Sequence, residues 1–195
     1  MAKNLQQLLE SIDLDALIEL DDIPDIDLYM DQVIQIFENK FAKTKRTDDE
    51  KILTKTMINS YAKGKLFFPI KNKKYTKIHL LLISLIYQLK GTLTLTDIKT
   101  VLTKMNEKIV HEQFDLVPLY QSFLHLAKKN TEQVKKDIEE KGKVASEEVG
   151  KIVDEDADYM ETVLLICTLA HMSNLYRRTA ERLVDTILKE DNQDK

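Results

Sequence analysis

Residues 53–102 read LTKTMINSYAKGKLFFPIKNKKYTKIHLLLISLIYQLKGTLTLTDIKTVL, and their order of elements decides the fold class. Ile52, Leu53, Met57, Ile58 and Tyr61 recur at helical intervals and predict a helix over roughly 51–62. Gly64 is placed to take the left-handed conformation that stops this helix. Residues 67–76, FFPIKNKKYT, hold Pro69 and an Asn72 flanked by lysines. They read as a small two-stranded wing with its tip at Lys71 to Lys73. Ile78, Leu81, Leu82, Leu85, Ile86 and Leu89 predict a helix over 76–90, buried on most sides and ended by Gly91. Thr94 or Thr96 caps another short helix with Ile98, Val101, Leu102 and Met105 inward.

Working outward, residues 4–20 form at best a short amphipathic helix on Leu5, Leu8, Leu9 and Ile12. DDIPDID, residues 21–27, is a break in which Pro24 restricts its predecessor and Asp27 can cap the next helix. From Leu28, the spacing of Met30, Val33, Ile34, Phe37 and Phe41 is helical, and residues 42–51 are a polar loop or helix end. Residues 115–141 predict one long helix with Leu116, Tyr120, Phe123, Ala127, Val134 and Ile138 in a near-heptad stripe. Residues 141–156 hold two of the four glycines and many charges, and read as a connector. Asp158 and Glu161 mark a capping-box-like start to a last helix that runs to about Lys189. Met160, Val163, Leu164, Cys167, Ala170, His171, Leu175, Leu183 and Ile187 are expected on its inward side.

The expected fold class is therefore all-α, mainly helical, with a small β wing and a C-terminal helical hairpin. Residues 1–22 form an acidic N-terminal segment, 23–108 the winged module and 109–195 a helical C-terminal region for dimerisation or effector binding. Few glycines and prolines fit a helical chain, and 43% hydrophobic with 32% charged residues is an ordinary globular composition. A single cysteine, Cys167, rules out an intramolecular disulfide framework. The N-terminus lacks an apolar signal core, and Met160 to Met172 is only about half the length of a membrane span. The expectation is a soluble cytoplasmic protein.

The net charge is −4, but its distribution is uneven. Residues 1–39 hold one lysine and ten acids, whereas residues 40–108 hold fifteen lysines, one arginine and five acids. Such segregation fits a local polyanion-binding surface on an otherwise acidic protein. The alternative is that the two blocks neutralise each other in the fold. Proteins meet DNA phosphates with lysines, hydroxyls and backbone N–H groups at helix starts. Lys51, Thr54, Lys55, Thr56, Asn59 and Lys63 belong to the 51–62 helix and its ends. Lys55, Thr56, Asn59 and Lys63 share a face that could enter a major groove, with Asn59 aimed at adenine edges. Lys71, Lys73 and Lys74 at the wing would sit on flanking phosphates, and Tyr75 could join them through its hydroxyl. The competing reading makes these solvated lysines and core-edge tyrosines.

The ordered strings Ile58-Asn59-Ser60-Tyr61, Gly64-Lys65-Leu66, Pro69, Lys73-Lys74-Tyr75-Thr76 and Thr94-Leu95-Thr96-Asp97-Ile98-Lys99 resemble the DNA-binding module of the MerR family. That family has a helix ending in Tyr-x-x-x-Gly-Leu-x-x-Pro, a basic wing, an Arg-x-Tyr-Ser/Thr element and a Leu-x-Glu-Ile-Lys segment. There are two departures. About ten polar residues separate the helices at 28–41 and 51–62 where the family has only a few, and lysine replaces arginine in the wing. From DIPDIDLYMDQV through ILTKTMINSYAKGKL the chain resembles the family catalogued as domain of unknown function 1836, over most of residues 20–185. The resemblance implies a winged helix-turn-helix transcriptional regulator that binds double-stranded DNA.

A homodimer is expected, because one module with few base contacts discriminates poorly and two-fold symmetry doubles the contacts. An effector could bind among the C-terminal helices, although no pocket chemistry names one. The alternative is a protein-interaction module with this fold that does not bind DNA. No phosphate-binding glycine loop, G-x-S-x-G or H-E-x-x-H string occurs, so no enzyme, cofactor or metal site is expected. Cys167 and His171, four apart, read as a buried structural pair rather than metal ligands.

Overall fold

The computed structural model of the chain describes residues 2–152 and 155–193, and only the backbone of residues 2–4 and 191–193. The chain is mostly helical, as expected. Seven helices are described: α1 (Ala2–Ser11), α2 (Met30–Lys40), α3 (Lys55–Lys63), α4 (Lys77–Leu89), α5 (Leu95–His111), α6 (Val117–Val149) and α7 (Ala157–Gln193). The described strands are β1 (Leu28–Tyr29) and β2 (Lys74–Tyr75), paired antiparallel with Leu28 opposite Tyr75 and Tyr29 opposite Lys74. The contacts divide the chain into two compact units. One comprises Met1–Asp15 and His125–Arg178, the other Ala16–Leu124 and Thr179–Lys195.

The larger unit is built around α4. Leu80, Leu81, Leu82, Ile83 and Ile86 have no exposed surface, so this helix is apolar around most of its circumference. Val33 and Phe37 of α2, Ile58 of α3, Ile98 of α5 and Leu116 and Tyr120 around the start of α6 are buried with it. Each fully buried aliphatic side chain contributes about 1.5–3 kcal/mol. The polar groups of Tyr120, Ser84 and His79 are buried with them. The Tyr120 hydroxyl donates to the Ile18 carbonyl at 2.7 Å and lies 2.7 Å from Ser84 Oγ. Burial pushes the Tyr120 phenol up to about 12, which keeps it a donor at every physiological pH.

Several boundaries differ from expectation, each for a local reason. The helix expected from Leu28 starts at Met30. Leu28 and Tyr29 are taken by β1, and Gln32 Oε1 accepts the Tyr29 N–H at 2.9 Å. The helix expected over 51–62 starts at Lys55, because Thr54 is its cap and Thr54 Oγ1 accepts the Met57 N–H at 3.1 Å. Ile52 and Leu53 are buried ahead of it. Gly64 does not supply the left-handed residue: its φ is −71°, and Lys65 takes φ 58° instead. Leu66 N–H bonds the Tyr61 carbonyl and Lys65 N–H that of Ala62, both at 3.0 Å, so a Schellman turn is formed one residue later than expected. Glycine suits position 64 because a Cβ there would come 3.2 Å from the Ser60 carbonyl oxygen. The helix expected to be short after Thr94 runs to His111, with Thr94 Oγ1 and the Asp97 backbone N–H forming its cap at 3.2 Å.

The smaller unit corrects the C-terminal reading. α6 continues through Val149, so most of the expected connector at 141–156 is helix. Gly142 is buried there, and a Cβ would come 2.6 Å from the Leu5 side chain. That glycine makes room for α1 rather than a break. Val153 and Asp154 lie outside the described residues. Leu5 and Leu9 pack with Ala145 and Leu165, flanked by Leu14, Ile138 and Leu169. The packed row on α7 is thus Glu161, Leu165 and Leu169, spaced by four. Val163, Leu164, Cys167, Ala170, His171, Leu175 and Leu183, expected inward, are exposed. Cys167 and His171 are therefore not a buried pair. Among the described residues no helix is long and apolar enough to cross a membrane.

Candidate nucleic-acid interface

The polar residues after α2 are tied down by one carboxylate. Glu38 Oε2 accepts from Lys45 Nζ at 2.6 Å and Oε1 accepts the Ile52 N–H at 3.0 Å. The lysine hydrogen bond holds this carboxyl below its ordinary range against the opposing effect of burial. From the far side Lys90 Nζ donates to the Ile52 carbonyl at 3.1 Å and sits 4.3 Å from the Tyr87 ring centroid. Ile52 is held on both its backbone groups, and α3 starts from a fixed point.

α3 buries Ile58 and Tyr61 and exposes Lys55, Thr56, Asn59 and Lys63. Lys55 to Lys63 rises about 12 Å along the helix axis, the width of a B-DNA major groove. Thr54, half-buried, has its hydroxyl oxygen occupied by the cap, and Lys51 is exposed on the preceding loop. Lys55 is not free: its ammonium lies 2.7 Å from Asp31 in the first turn of α2. Four further lysines of the basic block pair with acids: Lys40 with Asp22 at 2.7 Å, Lys77 with Asp25 at 3.0 Å, Lys45 with Glu38 and Lys108 with Glu112 at 3.0 Å. Among the described residues Lys51, Lys63, Lys65, Lys71 and Lys73 make no ion pair and are exposed.

The wing differs from a free-standing hairpin. Its tip is where expected: Lys71 and Lys74 bridge, and Asn72 and Lys73 between them have φ of 51° and 58°. Two left-handed residues in a row make the primed turn that matches strand twist. Asparagine tolerates that conformation, whereas lysine is strained there by roughly 1–3 kcal/mol. The expected first strand over 67–70 does not form, since Pro69 has no N–H to donate. β2 pairs instead with β1, the strand that leads into α2.

That pairing sets what the wing presents. Tyr75 is 1% exposed, its ring 6.2 Å from Phe67 and 6.0 Å from His79, and burial pushes its phenol up. It anchors the wing from inside. Lys74 faces the other way, its ammonium 5.4 Å from the ring of exposed Tyr29. His79 is 2% exposed. Its Nδ1 accepts the Thr76 N–H at 3.2 Å and its Nε2 donates to the Phe68 carbonyl at 3.2 Å, so it is neutral. Burial lowers its pKa from the ordinary 6.5, against opposing effects of the Phe68 carbonyl and Asp27. Tyr29 and Asp31 escaped the reading of residues alone. Asp31 carried one signal, its place at the start of a helix next to the basic block.

A cleft of about 710 Å³ lies beside the wing, with Lys65, Phe67, Phe68, Lys99 and Val110 among its walls. Asn106 lines it too and clamps the wing's base, its amide donating to the carbonyls of Leu66 at 3.1 Å and Leu102 at 2.8 Å.

Residues 18–123 match the family model described as "Domain of unknown function (DUF1836)", a little more than half of the chain. The matched span falls within the Ala16–Leu124 segment of the larger unit. It starts near the expected boundary but stops well short of residue 185. No curated protein and no solved structure matches the chain. The chain belongs to the family of domain of unknown function DUF1836.

Proposed function

We propose that this protein is a DNA-binding regulator of transcription that works as a homodimer. The observation that carries the reading is the polar face of α3. Lys55, Thr56, Asn59 and Lys63 stand exposed over buried Ile58 and Tyr61, on a helix whose start and end are both fixed by hydrogen bonds. The wing adds Lys71 and Lys73 on a tight turn, with Lys74 and Tyr29 beside it. Lysine supplies phosphate neutralisation without planar bidentate geometry, so affinity comes mainly from the backbone and base reading falls to Asn59. Tyr75 has no role at the phosphates in this scheme and holds the wing in place. The dimer reading draws on α7, where Val163, Leu164, Ile166, Leu175 and Tyr176 are exposed large apolar side chains.

Charge reversal at the tip, Lys71→Glu with Lys73→Glu, tests the docking face. It should weaken binding to all duplexes alike and reduce the salt slope by about 2. Unchanged binding by the folded double variant would reject this face.

A second reading has its own observation. Asp22, Asp25 and Asp31 of the acidic block each pair with a lysine of the basic block. An adaptor that uses this fold to hold a protein partner would show such internal neutralisation and no affinity for duplex DNA.

A further inference from the structure

Residues 159–176 of α7 include one Asp, Glu, Lys or Arg, namely Glu161, and it stands on the covered row with Leu165 and Leu169. The other side of the helix is apolar and open. Tyr159, Val163, Ile166 and Ala170 recur at intervals of four, three and four, the spacing by which one helix packs along another. Tyr159 is 70% and Ile166 61% exposed, and Val163, Cys167 and Ala170 are exposed with them. The two ends of this stripe carry opposite charge. Glu155, Asp156 and Asp158 stand at its start and Arg177 and Arg178 at its end, all within the smaller unit.

We infer that this face is covered by the same face of a second copy, running antiparallel and crossing near Cys167. The inference rests on the homodimer reading above and adds the surface, its direction and its register. The acids and the arginines lie about three turns to either side of Cys167. Turning a second helix end for end about that point lays the acids of each copy on the arginines of the other, with Val163 beside Ala170. A parallel copy would set acids on acids and arginines on arginines. A uniformly acidic or basic partner would match one end and oppose the other. The rim charges thus select direction and partner, and the apolar stripe between them supplies the buried contact.

The test is sedimentation equilibrium of the full chain, which should give twice the 22.7 kDa of one copy. Cys167→Glu sets two carboxylates against each other at the crossing. It should raise the dimer Kd at least about thirtyfold and leave helical content unchanged by circular dichroism, because the residue is exposed. Arg178→Glu should weaken the dimer about tenfold, since the change is made twice in each dimer. Adding Glu155→Lys should restore the wild-type Kd. In a parallel pair Arg178→Glu would tighten the dimer instead, by relieving contact between arginines. Should Cys167→Glu lose helical content, the Arg178→Glu and Glu155→Lys pair on the rim decides. A wild-type chain monomeric at every concentration would overturn the homodimer reading and this face together. A dimer that persists in folded Cys167→Glu would keep the homodimer and overturn the face, and one that Arg178→Glu tightens would overturn the direction.

Discussion

Asp31→Asn should strengthen DNA binding, because Asp31 now occupies the cation that leads the α3 face. The Lys55–Asp31 pair spans 2.7 Å, with the two side chains 64% and 73% exposed. An ion pair that open contributes about 0–1 kcal/mol to stability, so the variant should fold as wild type. Its effect on a polyanion is larger. Releasing Lys55 allows one more phosphate contact, and each contact steepens the plot of log K against log salt by about 0.9. Referred to 1 M salt, one added contact at 0.1 M corresponds to roughly eightfold tighter binding. Removal of a negative charge from the docking face acts in the same direction. Fluorescence anisotropy of a labelled duplex over a salt series measures both quantities. Asp31→Asn with Lys55→Gln should return to the affinity of Lys55→Gln alone, since the aspartate acts through its partner. Unchanged affinity and slope in folded Asp31→Asn would refute the argument and turn the α3 face away from DNA.

Further outcomes concern the supports of the site. Tyr120→Phe removes the donor to Ile18 and strands Ser84, which should lower stability by about 1–3 kcal/mol in urea titrations. The neutral His79 should make stability pH-dependent. Its folded pKa lies below the ordinary 6.5, so the unfolded chain binds the proton more readily. The stabilisation is complete above about pH 6.5 and is lost as the pH falls toward the folded value. Urea midpoints at pH 7.5 and 5.0 should differ less for His79→Gln than for wild type.

Much of the larger unit was legible from periodicity, because α4 is so uniformly apolar and because Thr94 announces a helix start, whereas Thr54 caps α3 inside the span 51–62 expected to be helix. What periodicity missed was long-range. Nothing in the run 67–76 says that Tyr75 pairs with Leu28, far upstream, rather than with its neighbours. Gly64 signalled the end of α3 correctly, although the left-handed residue there is Lys65, and a Cβ at Gly64 would come 3.2 Å from the Ser60 carbonyl oxygen. On α7 the apolar residues wrap much of the helix, so spacing alone could not choose the row 161, 165, 169 over the row 163, 167, 170. Gly142 looked like a helix breaker because its reason, the approach of Leu5 from the other end of the sequence, is invisible locally. For the candidate interface, residue types pointed to Lys55, Asn59, Lys63, Lys71 and Lys73, whereas the burial of Tyr75 and the pairing of Lys55 emerge only in three dimensions.

The most direct test of the account is anisotropy of wild-type protein against labelled duplex DNA, including the region upstream of its own coding sequence, at low and near-physiological salt. Tight binding that falls steeply with salt, and that prefers the upstream region over a scrambled duplex, is the predicted result. Folded protein with no affinity for any duplex at low salt would contradict it, leaving the basic face to a protein partner.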